Sequence, residues 1–559
     1  MNPPNHQFDP LQKRVLLVIA LTGIVIRILD GFRVPVFMDE LPILYNVAHF
    51  LNDKTLVPIH FSYPTFFSYL VSLPIILTFT GLYFLHQYPL SGLADSAWLG
   101  FVFNRFRDSL ILGGRVVSLV AFILILWILY KLARRFFGFI PVLIAFAILS
   151  FDPLGGRFVA YSRYALPDVT AALLVTGGFL SCIFYLETRH HRWLRAASFI
   201  IGLGISTKYN AGMAVVPLIL ALLIEPPLHP IRSWFQVIGF GILGLFAGSP
   251  AMLWVPGQYI QGYLWEARHM ASGHLGANDV DYWWVVKTLW HYKTMMLPVI
   301  LITLIFRFVK HRKQDWIFLA FILSSFLIIG RFEKKAIHYF IFLFPVLALF
   351  IGQTMKEIWQ SCRRARWMTA AFIVLTAVLF FIYPGYRIIK MTVRDLHPDN
   401  RRLAESWIRD NIQPESRLLL DPLVIQNLIS VEERDSTINR FTEMKSAFVK
   451  QVGEAYEQSP VYHISDIRDV WDANNFLDGL RPEYIIVSSQ NFERFFIENR
   501  ARWPEPGTGL YMQFIHRRQF YRRLFTWPKA ALIKSFRTST GPEIRIYHIS
   551  ASKNGKETG

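Results

Sequence analysis

Residues 34–51 of the chain, VPVFMDELPILYNVAHFL, carry two adjacent carboxylates, Asp39 and Glu40, directly after the first long apolar segment. A charge this close to the hydrocarbon of a membrane is costly unless it faces water, a partner or a substrate. The pair therefore has two interpretations: a solvated end of a helix, or reactive groups at a membrane surface. What the rest of the sequence places beside the pair decides between them.

The composition is typical of a membrane protein that crosses the bilayer many times. Of 559 residues, 53% are hydrophobic and 17% are charged, and the mean hydropathy is +0.34, whereas soluble proteins average about 25% charged residues. Apolar runs of membrane-spanning length recur as far as about residue 384 and then stop. We expect a polytopic α-helical transmembrane module over residues 1–386, with about 11–13 spans and a catalytic first outer loop at 31–65. Residues 387–559 are expected to form a soluble extracytoplasmic α/β domain.

The net charge of +19 is explained by membrane topology and does not require a nucleic-acid partner. Basic residues cluster in short loops between apolar runs, which is where the positive-inside rule places cytoplasmic loops. Lys13 and Arg14 precede the first run, so we expect a cytoplasmic N-terminus and an external Asp39–Glu40 pair. With every basic cluster inside, the charge and length rules predict about eleven spans. They cover residues 15–30, 113–131, 139–152, 167–186, 194–207, 211–224, 234–250, 289–308, 315–330, 337–354 and 367–384.

One apolar segment does not fit this alternation. Residues 66–85 are long and apolar enough to cross, but a crossing there would place five later basic clusters outside. We therefore predict a re-entrant or interface-lying segment, and an extra span within 93–112 is the alternative. The first apolar run is expected to be a retained anchor, because no small-residue cleavage site follows it. The two cysteines, Cys182 and Cys362, indicate no disulfide framework.

The expected topology gathers polar segments that are far apart in the sequence on one outer face, and this predicts a site at a membrane interface. The segments are the loop with Asp39 and Glu40, the start of the 113–131 span at Arg115, residues 152–168, residues 206–212, the loop 250–288 and residues 331–339.

The C-terminal part predicts strands and helices in mixed order. Short apolar alternations predict strands at 416–421, 483–489 and 544–550, and helical patterns cover 400–411 and 491–500. No glycine-rich phosphate loop or metal-ligand motif is found there.

Several segments, taken in order, resemble the GT-C glycosyltransferases. The Asp39–Glu40 pair is followed by GRVVSLVAFILILWILYKLARRFFG, YSRYALPDVTAALLVTGGFL, GLGISTKYNAGMAVVPLIL and KKAIHYFIFLFPVLALF. The order is similar to that in protein O-mannosyltransferases and in the aminoarabinose transferases that modify lipid A, and it covers residues 12–355. The specificity lies in the order of the segments, since no single one is diagnostic.

The resemblance implies a donor sugar on a polyprenyl phosphate and an acceptor that presents a hydroxyl. Asp39 matches the family's aspartate and would act as general base in an inverting single displacement, with Glu40 beside it. Asp168 matches a second acidic position, although an acid after Pro167 at a helix start also reads as a helix cap.

Cations are expected to receive the phosphate of the leaving lipid, because arginine suits bidentate contact and lysine a point charge. The candidates on the outer face are Arg115, Arg163, Lys208, Lys334 and Lys335. The family pattern matches Arg115 and the Lys334–Lys335 pair. The alternative is that each cation merely anchors a helix end against lipid headgroups.

The chain departs from the family in one signature. The relatives carry HPPL or EKPPL, whereas this chain has HFSYPTFF at 60–67, so the donor sugar stays open. His269, His274, Asp279 and Asp281 lie in the loop 250–288, but their irregular spacing has no ligand signature. We expect a solvated or substrate-covering loop, no metal and no other cofactor.

The prediction is a multi-pass integral membrane glycosyltransferase, expected in a bacterial or archaeal plasma membrane with an extracytoplasmic active site. Its expected partners are a polyprenyl-phosphate-linked sugar, membrane lipids and a protein, lipid or glycan acceptor. A transporter or lipid flippase is the alternative, since many spans with internal charge also suit a substrate pathway. A non-catalytic scaffold for envelope assembly also stays open.

Overall fold

The computed structural model divides the chain into two compact units. The first comprises Met1–His86, Phe103–Ser272 and Asp281–Thr392, and the second comprises Gln87–Val102, Gly273–Val280 and Val393–Gly559. The division after Thr392 falls six residues beyond the one expected from composition, and a short segment after the third helix joins the second unit. The structure describes residues 7–31, 34–61, 63–153, 157–272, 282–291, 296–363, 365–421, 425, 427–470, 481–498, 503–537 and 540–550.

The first unit is built from helices that coincide with the expected spans. In chain order, the helices from Pro10 to Asp395 are α1 (Pro10–Gly31), α2 (Leu41–Asn52), α3 (Phe66–Leu85), α4 (Ser96–Arg105), α5 (Arg107–Lys131), α6 (Phe139–Phe151), α7 (Arg157–Tyr161), α8 (Pro167–Thr188), α9 (His191–Ile205), α10 (Val215–Ile224), α11 (Pro230–Gly248), α12 (Pro256–Ser272), α13 (Trp284–His291), α14 (Met296–Lys310), α15 (Lys313–Ile329), α16 (Phe344–Cys362), α17 (Arg366–Ala377) and α18 (Tyr383–Asp395). Most of α4 belongs to the second unit. Each of the eleven expected spans lies on one or two of these helices, so the polytopic helical architecture is confirmed.

Among the described residues, six helical segments are long and apolar enough to cross a membrane by length and composition. They are Phe66–Leu85, Arg107–Arg135, Pro167–Thr188, Pro230–Gly248, Ile337–Cys362 and Arg366–Asn411, and shorter apolar helices cover Phe139–Phe151 and Tyr209–Ile224. The expected 11–13 spans also include short or charged helices such as α1, in which Arg27 and Asp30 are buried. Asp30 pairs with Arg163, and Arg27 donates to the hydroxyl of Ser162 and to two backbone carbonyl oxygens. These charges therefore do not have to face lipid.

Helix α3 is one continuous helix of 20 residues, which contradicts the re-entrant form of the prediction for 66–85; the interface-lying form stays a prediction. It runs antiparallel to the first half of α5: Ile75 packs at Gly114, and the rings of His86 and Phe106 lie 4.8 Å apart. The chain therefore enters α5 from the side on which α3 ends. The described residues within 93–112 form the end of a 3₁₀ helix (Leu90–Ala94), the ten-residue α4 and the start of α5, which leaves no room for an extra span there.

The second unit contains a six-stranded sheet, which confirms the α/β expectation. Its strands are β1 (Arg417–Leu420), β2 (Ile429–Ser430), β3 (Val461–Asp466), β4 (Tyr484–Ser488), β5 (Ala530–Phe536) and β6 (Ile544–Ile549), in the order β2-β3-β1-β4-β6-β5. Strands β2, β3, β1 and β4 are parallel to one another, β6 is antiparallel to β4, and β5 is antiparallel to β6. The helices are α19 (Asn400–Asn411), α20 (Val431–Glu443), α21 (Val449–Glu457), α22 (Ser489–Phe492) and α23 (Gly509–Thr526).

The sequence located three of these strands, β1, β4 and β6, and the whole of α19. The helix expected at 491–500 is wrong: α22 and a 3₁₀ turn end at Phe495. Phe492 and Phe495 both pack into the core beside Tyr521, and a short tight turn brings both rings to the same side.

Candidate active site

Glu40 and Arg115 form a buried clamp behind the predicted catalytic loop. Arg115 donates from Nε to Glu40 Oε1 at 2.8 Å and from Nη2 to Oε2 at 2.7 Å. It also donates to the carbonyl oxygens of Gly31, Val34 and Pro35 at 2.6, 2.9 and 3.1 Å. All five N–H groups of the guanidinium are therefore engaged within the protein.

The carboxylate of Glu40 is saturated as well. Besides Arg115, it accepts hydrogen bonds from the backbone N–H of Phe37 at 2.8 Å and of Ala165 at 2.7 Å. Only 1% of the residue is exposed. The clamp thus ties the turn at Met38–Glu40 to α5 and to the segment before α8, and it holds the backbone of Asp39 in place.

Asp39 differs from its neighbour because its carboxylate stays available. The side chain is half-buried, and no hydrogen bond or ion pair to it is found among the described residues. Burial raises the pKa of Asp39; the charges of Lys208 and Lys334 act against this, and those of Asp168 and Glu40 add to it. The carboxylate of Asp39 therefore interacts with the charges of two cations and two other carboxylates.

Asp168 and Lys208 form a second, nearly buried pair. Lys208 Nζ donates to Asp168 Oδ1 at 2.6 Å, and the exposed side-chain fractions are 10% and 4%. Leu166 is the cap residue of α8, and no side-chain capping bond forms there. The carboxylate of Asp168 pairs with Lys208, and among the described residues no backbone N–H of α8 donates to it. Asp168 nevertheless lies in the first turn of α8, where the helix dipole favours an acid, so that part of the alternative stays open.

Lys334 contacts helix α12, which lies in the segment that the sequence predicted to be a loop. Its Nζ lies 2.8 Å from Nε2 of His269, which accepts from the ammonium group. Burial lowers the pKa of Lys334, while the charges of Glu266 and Asp39 raise it. Burial likewise raises the pKa of Glu266. Glu266 and His269, three residues apart on α12, thus bring a carboxylate and an imidazole to the surroundings of Asp39.

The loop expected at 250–288 is helical over Pro256–Ser272, so the irregular spacing concealed a helix. His274, Asp279 and Asp281 lie outside the described residues. In the described part of the chain, no group of three or more His, Cys, Asp or Glu side chains is arranged to hold a metal ion.

The remaining predicted cations are engaged within the protein. Arg163 pairs with the buried carboxylate of Asp30 at 3.1 Å, and Lys335 donates to the carbonyl oxygen of Gly330 at 2.8 Å. These contacts, like those of Arg115, connect segments of the bundle to one another.

Arg268 was missed by sequence reasoning. It lines a cavity of about 640 Å³ between α12 and the segment before α3. The other lining residues are Ile59, His60, Phe61, Gln258, Gln261, Gly262, Leu264 and Trp265. The exposed arginine lies two residues from Glu266 and one from His269. The helical spacing of these polar residues was the signal that the sequence offered.

Comparisons with known proteins were made for the family, for sequence relatives and for solved structures. Residues 96–254 match the family model described as dolichyl-phosphate-mannose-protein mannosyltransferase. This segment contains Arg115, Asp168 and Lys208. No curated protein matches the chain in sequence.

Solved structures with a similar chain course include ArnT and an archaeal oligosaccharyltransferase. ArnT from Cupriavidus metallidurans in the apo state is 12% identical with a TM-score of 0.50, and the match covers 95% of this chain and 97% of that one. The same protein bound to undecaprenyl phosphate gives 13% identity, 97% and 98% coverage and a TM-score of 0.46. The archaeal oligosaccharyltransferase AglB from Archaeoglobus fulgidus, in complex with an inhibitory peptide and a dolichol-phosphate, gives 11% identity, 88% and 71% coverage and a TM-score of 0.48.

At 12% identity, the likeness to apo ArnT is a likeness of fold. Together with the family match, it confirms the resemblance to the GT-C glycosyltransferases that the order of the sequence motifs indicated. The class supported by the family match and the fold is therefore a multi-pass membrane glycosyltransferase of the GT-C type.

Proposed function

We propose that the chain transfers a sugar from a polyprenyl-phosphate donor to an acceptor hydroxyl, with Asp39 as the general base. The observation that carries the proposal is the contrast between two adjacent carboxylates. Glu40 is saturated by four hydrogen bonds, whereas Asp39 is half-buried and within the field of Lys208 and Lys334. A base must be within reach of substrate and free to accept a proton.

In the proposed reaction, Asp39 takes the proton of the acceptor hydroxyl as its oxygen attacks the anomeric carbon. A new carbon–oxygen bond forms on one face of the sugar while the bond to the phosphate oxygen breaks on the other, so the anomeric centre inverts. The electron pair of the broken bond leaves with the polyprenyl phosphate. The raised pKa of Asp39 makes its carboxylate a stronger base than an exposed aspartate.

The leaving phosphate requires positive charge, and the geometry favours different cations from those first expected. The positive charges of Lys208 and Lys334 lower the pKa of Asp39 against the effect of its burial. Arg268 lines the cavity between α12 and the segment before α3. Arg115 and Arg163 serve to position segments of the bundle, because their guanidinium groups are engaged inside it. ArnT, whose apo form shares this fold, also has a structure with undecaprenyl phosphate bound, which supports a lipid-linked donor.

The placement of the reaction follows from charge. Basic residues flank the ends of the helices opposite the site, including Arg192 and Arg195 at the start of α9 and Arg312 and Lys313 at the start of α15. The positive-inside rule places such ends in the cytoplasm. The site at the other end of the bundle is therefore proposed to be extracytoplasmic.

The test is an assay of the purified full chain with synthetic polyprenyl-phosphate sugars, in which release of polyprenyl phosphate is measured. Asp39→Asn keeps the shape of the side chain and removes its basicity, so turnover is expected to fall about 10²–10⁴-fold. The thermal unfolding temperature should not change. Asp53→Asn, at the end of α2 and outside the site, serves as the matched control and should stay active.

Turnover at the wild-type rate in Asp39→Asn would end the assignment of this carboxylate as the base. A transporter or flippase would move the lipid without releasing polyprenyl phosphate. Absence of release by the wild-type chain across a panel of sugars, together with lipid movement in vesicles, would favour that alternative.

A further inference from the structure

A groove lies on the outside of the bundle between α9 and α11, at the end of these helices remote from the active site. It is a cavity of about 430 Å³ lined by Arg192, Arg195, Ala196, Phe199, Phe240 and Leu243. Arg195 and Lys208 are separated by thirteen residues of a helix and its following turn, or about 20 Å at 1.5 Å per residue. The groove is thus distinct from the proposed catalytic site.

Close approach of the two helices creates the groove. A Cβ atom at Gly244 would lie 2.1 Å from the carbonyl oxygen of Phe199, and one at Gly202 would lie 2.2 Å from that of Gly241. Ser198 also donates its hydroxyl hydrogen to the carbonyl oxygen of Val237. With the backbones in contact, no large side chain covers the outer side of the seam.

The end of the groove near the start of α9 is positively charged. Arg192 and Arg195 are three residues apart, so they lie on the same face of the helix. No ion pair to either is found among the described residues. The guanidinium of Arg195 lies 5.9 Å from the ring centre of Phe240, and that of Arg192 lies 5.3 Å from the ring of Trp193. Arg192, in the first turn of α9, also opposes the helix dipole, which makes a bound anion favourable there.

The other end of the groove is apolar and faces outward. Phe199 lies one helical turn beyond Arg195, and Leu243, 55% exposed, faces it from α11. A ligand that fits both ends has an anionic headgroup and an apolar chain that continues along the helices.

We propose that this groove binds an anionic phospholipid, with its phosphate at Arg192 and Arg195 and one acyl chain between Phe199 and Leu243. The two arginines favour an anionic headgroup, and the apolar half of the groove favours a ligand with an acyl chain over a free phosphate ion. Such a lipid would fill the seam between α9 and α11 in the leaflet opposite the catalytic site. The proposal is independent of the reaction that the site catalyses.

The test is native mass spectrometry of the full chain in detergent, titrated with dioleoyl phosphatidylglycerol or dioleoyl phosphatidylcholine. The first phosphatidylglycerol should bind at least about tenfold more tightly than phosphatidylcholine, because its headgroup has a net negative charge, whereas the choline cation of phosphatidylcholine offsets the charge of its phosphate. The double variant Arg192→Gln/Arg195→Gln should lose most of this preference. Arg232→Gln, an exposed arginine in the first turn of α11 outside the groove, should retain it.

A second variant keeps the test decisive if the double variant does not fold. Leu243→Trp fills the apolar half at an exposed position, so it should weaken binding of phosphatidylglycerol several-fold without unfolding the chain. Equal binding of the two lipids, an equal loss in Arg232→Gln, or full competition by inorganic phosphate would overturn the proposal.

Discussion

The loop at 37–40 and the surface beside it show two ways of burying charge. At Glu40 and Arg115, every donor of the guanidinium and both carboxylate oxygens are satisfied by the protein itself. At Asp39, one residue earlier, no such partner is found among the described contacts, and the side chain is half-buried. The Glu40–Arg115 clamp has no hydrogen-bonding group left for a ligand, whereas the carboxylate of Asp39 can still accept hydrogen bonds from one.

This difference has a physical cause. An unsatisfied charge in a dry interior is too costly to keep, so fully buried pairs such as Glu40–Arg115 are complete. A half-buried group can form its remaining hydrogen bonds with water until a substrate replaces the water. A fully hydrogen-bonded pair such as Glu40–Arg115 therefore fixes the path of the backbone. A charged group without a complete set of partners, such as Asp39, can still bind or react with a substrate.

The largest expected effect concerns the clamp. Arg115→Ala leaves Glu40 buried and unpaired, so the free energy of unfolding should fall by about 3–5 kcal/mol. Thermal unfolding in detergent measures this loss, and Arg268→Ala, at the exposed cavity, should leave the unfolding temperature unchanged. An Arg115→Ala variant of normal stability but with a raised KM for the donor would instead assign Arg115 to the phosphate.

Asp421 extends the comparison to a buried acid without a cation as its bonded partner. Its carboxyl accepts from the hydroxyl of Tyr521 and from the N–H of Ser488 at 2.8 Å, and burial raises its pKa to about 7. The folded state then keeps a proton that the unfolded state releases, so this stabilisation is complete below pH ~4 and is lost as pH rises through about 7.

Asp421→Asn should remove that pH dependence, which amounts at most to about 4 kcal/mol. The amide can turn its oxygen to the N–H of Ser488 and its nitrogen to the oxygen of Tyr521. Hydrogen exchange of β1 and β4 in the full chain, followed from pH 4.5 to 8, measures the change. Asp410→Asn, an exposed control on α19, should keep the wild-type profile; an unchanged profile in Asp421→Asn would mean that Asp421 is ionised throughout.

A smaller effect is expected for the exposed cation. If Arg268 holds the donor phosphate, Arg268→Ala should cost about 1.5–3 kcal/mol of donor binding and raise the KM for the donor at least tenfold. Arg163→Gln breaks the internal pair with Asp30, so it should lower the thermal unfolding temperature rather than raise the KM for the donor. Unchanged donor kinetics in Arg268→Ala would remove this arginine from the site.

The smallest effect near neutral pH concerns the profile of kcat/KM. The base must be ionised, so the rate should fall as pH drops through the raised pKa of Asp39, above the usual value of about 3.9. Lys334 must be protonated, so the rate should fall again as pH rises through its lowered pKa, below the usual value of about 10.4. Lys334→Arg should move the basic limb upward and leave the acidic limb in place. If the basic limb does not move, its titration belongs to another group.

Much of the architecture was predictable because local patterns suffice for it. Long apolar runs located the eleven expected helical spans, and alternation located β1, β4 and β6. Strand β5 was not predicted: it is an edge strand exposed on both faces, and a strand without a buried face has no alternation to detect. The re-entrant form of the prediction for 66–85 was wrong because charge parity cannot distinguish a hairpin from one helix that lies along α5.

The sequence by itself determined the helical class, the two-part organisation and Asp39 as a candidate, since hydropathy, charge and motif order are properties of the chain. Only the tertiary structure separated Asp39 from Glu40, because the partner of Glu40 lies 75 residues away and that of Asp168 lies 40 residues away. It also turned the supposed loop at 250–288 into a helix that carries Glu266, Arg268 and His269. Which charges are already paired depends on distances in space, and spacing along the chain does not contain them.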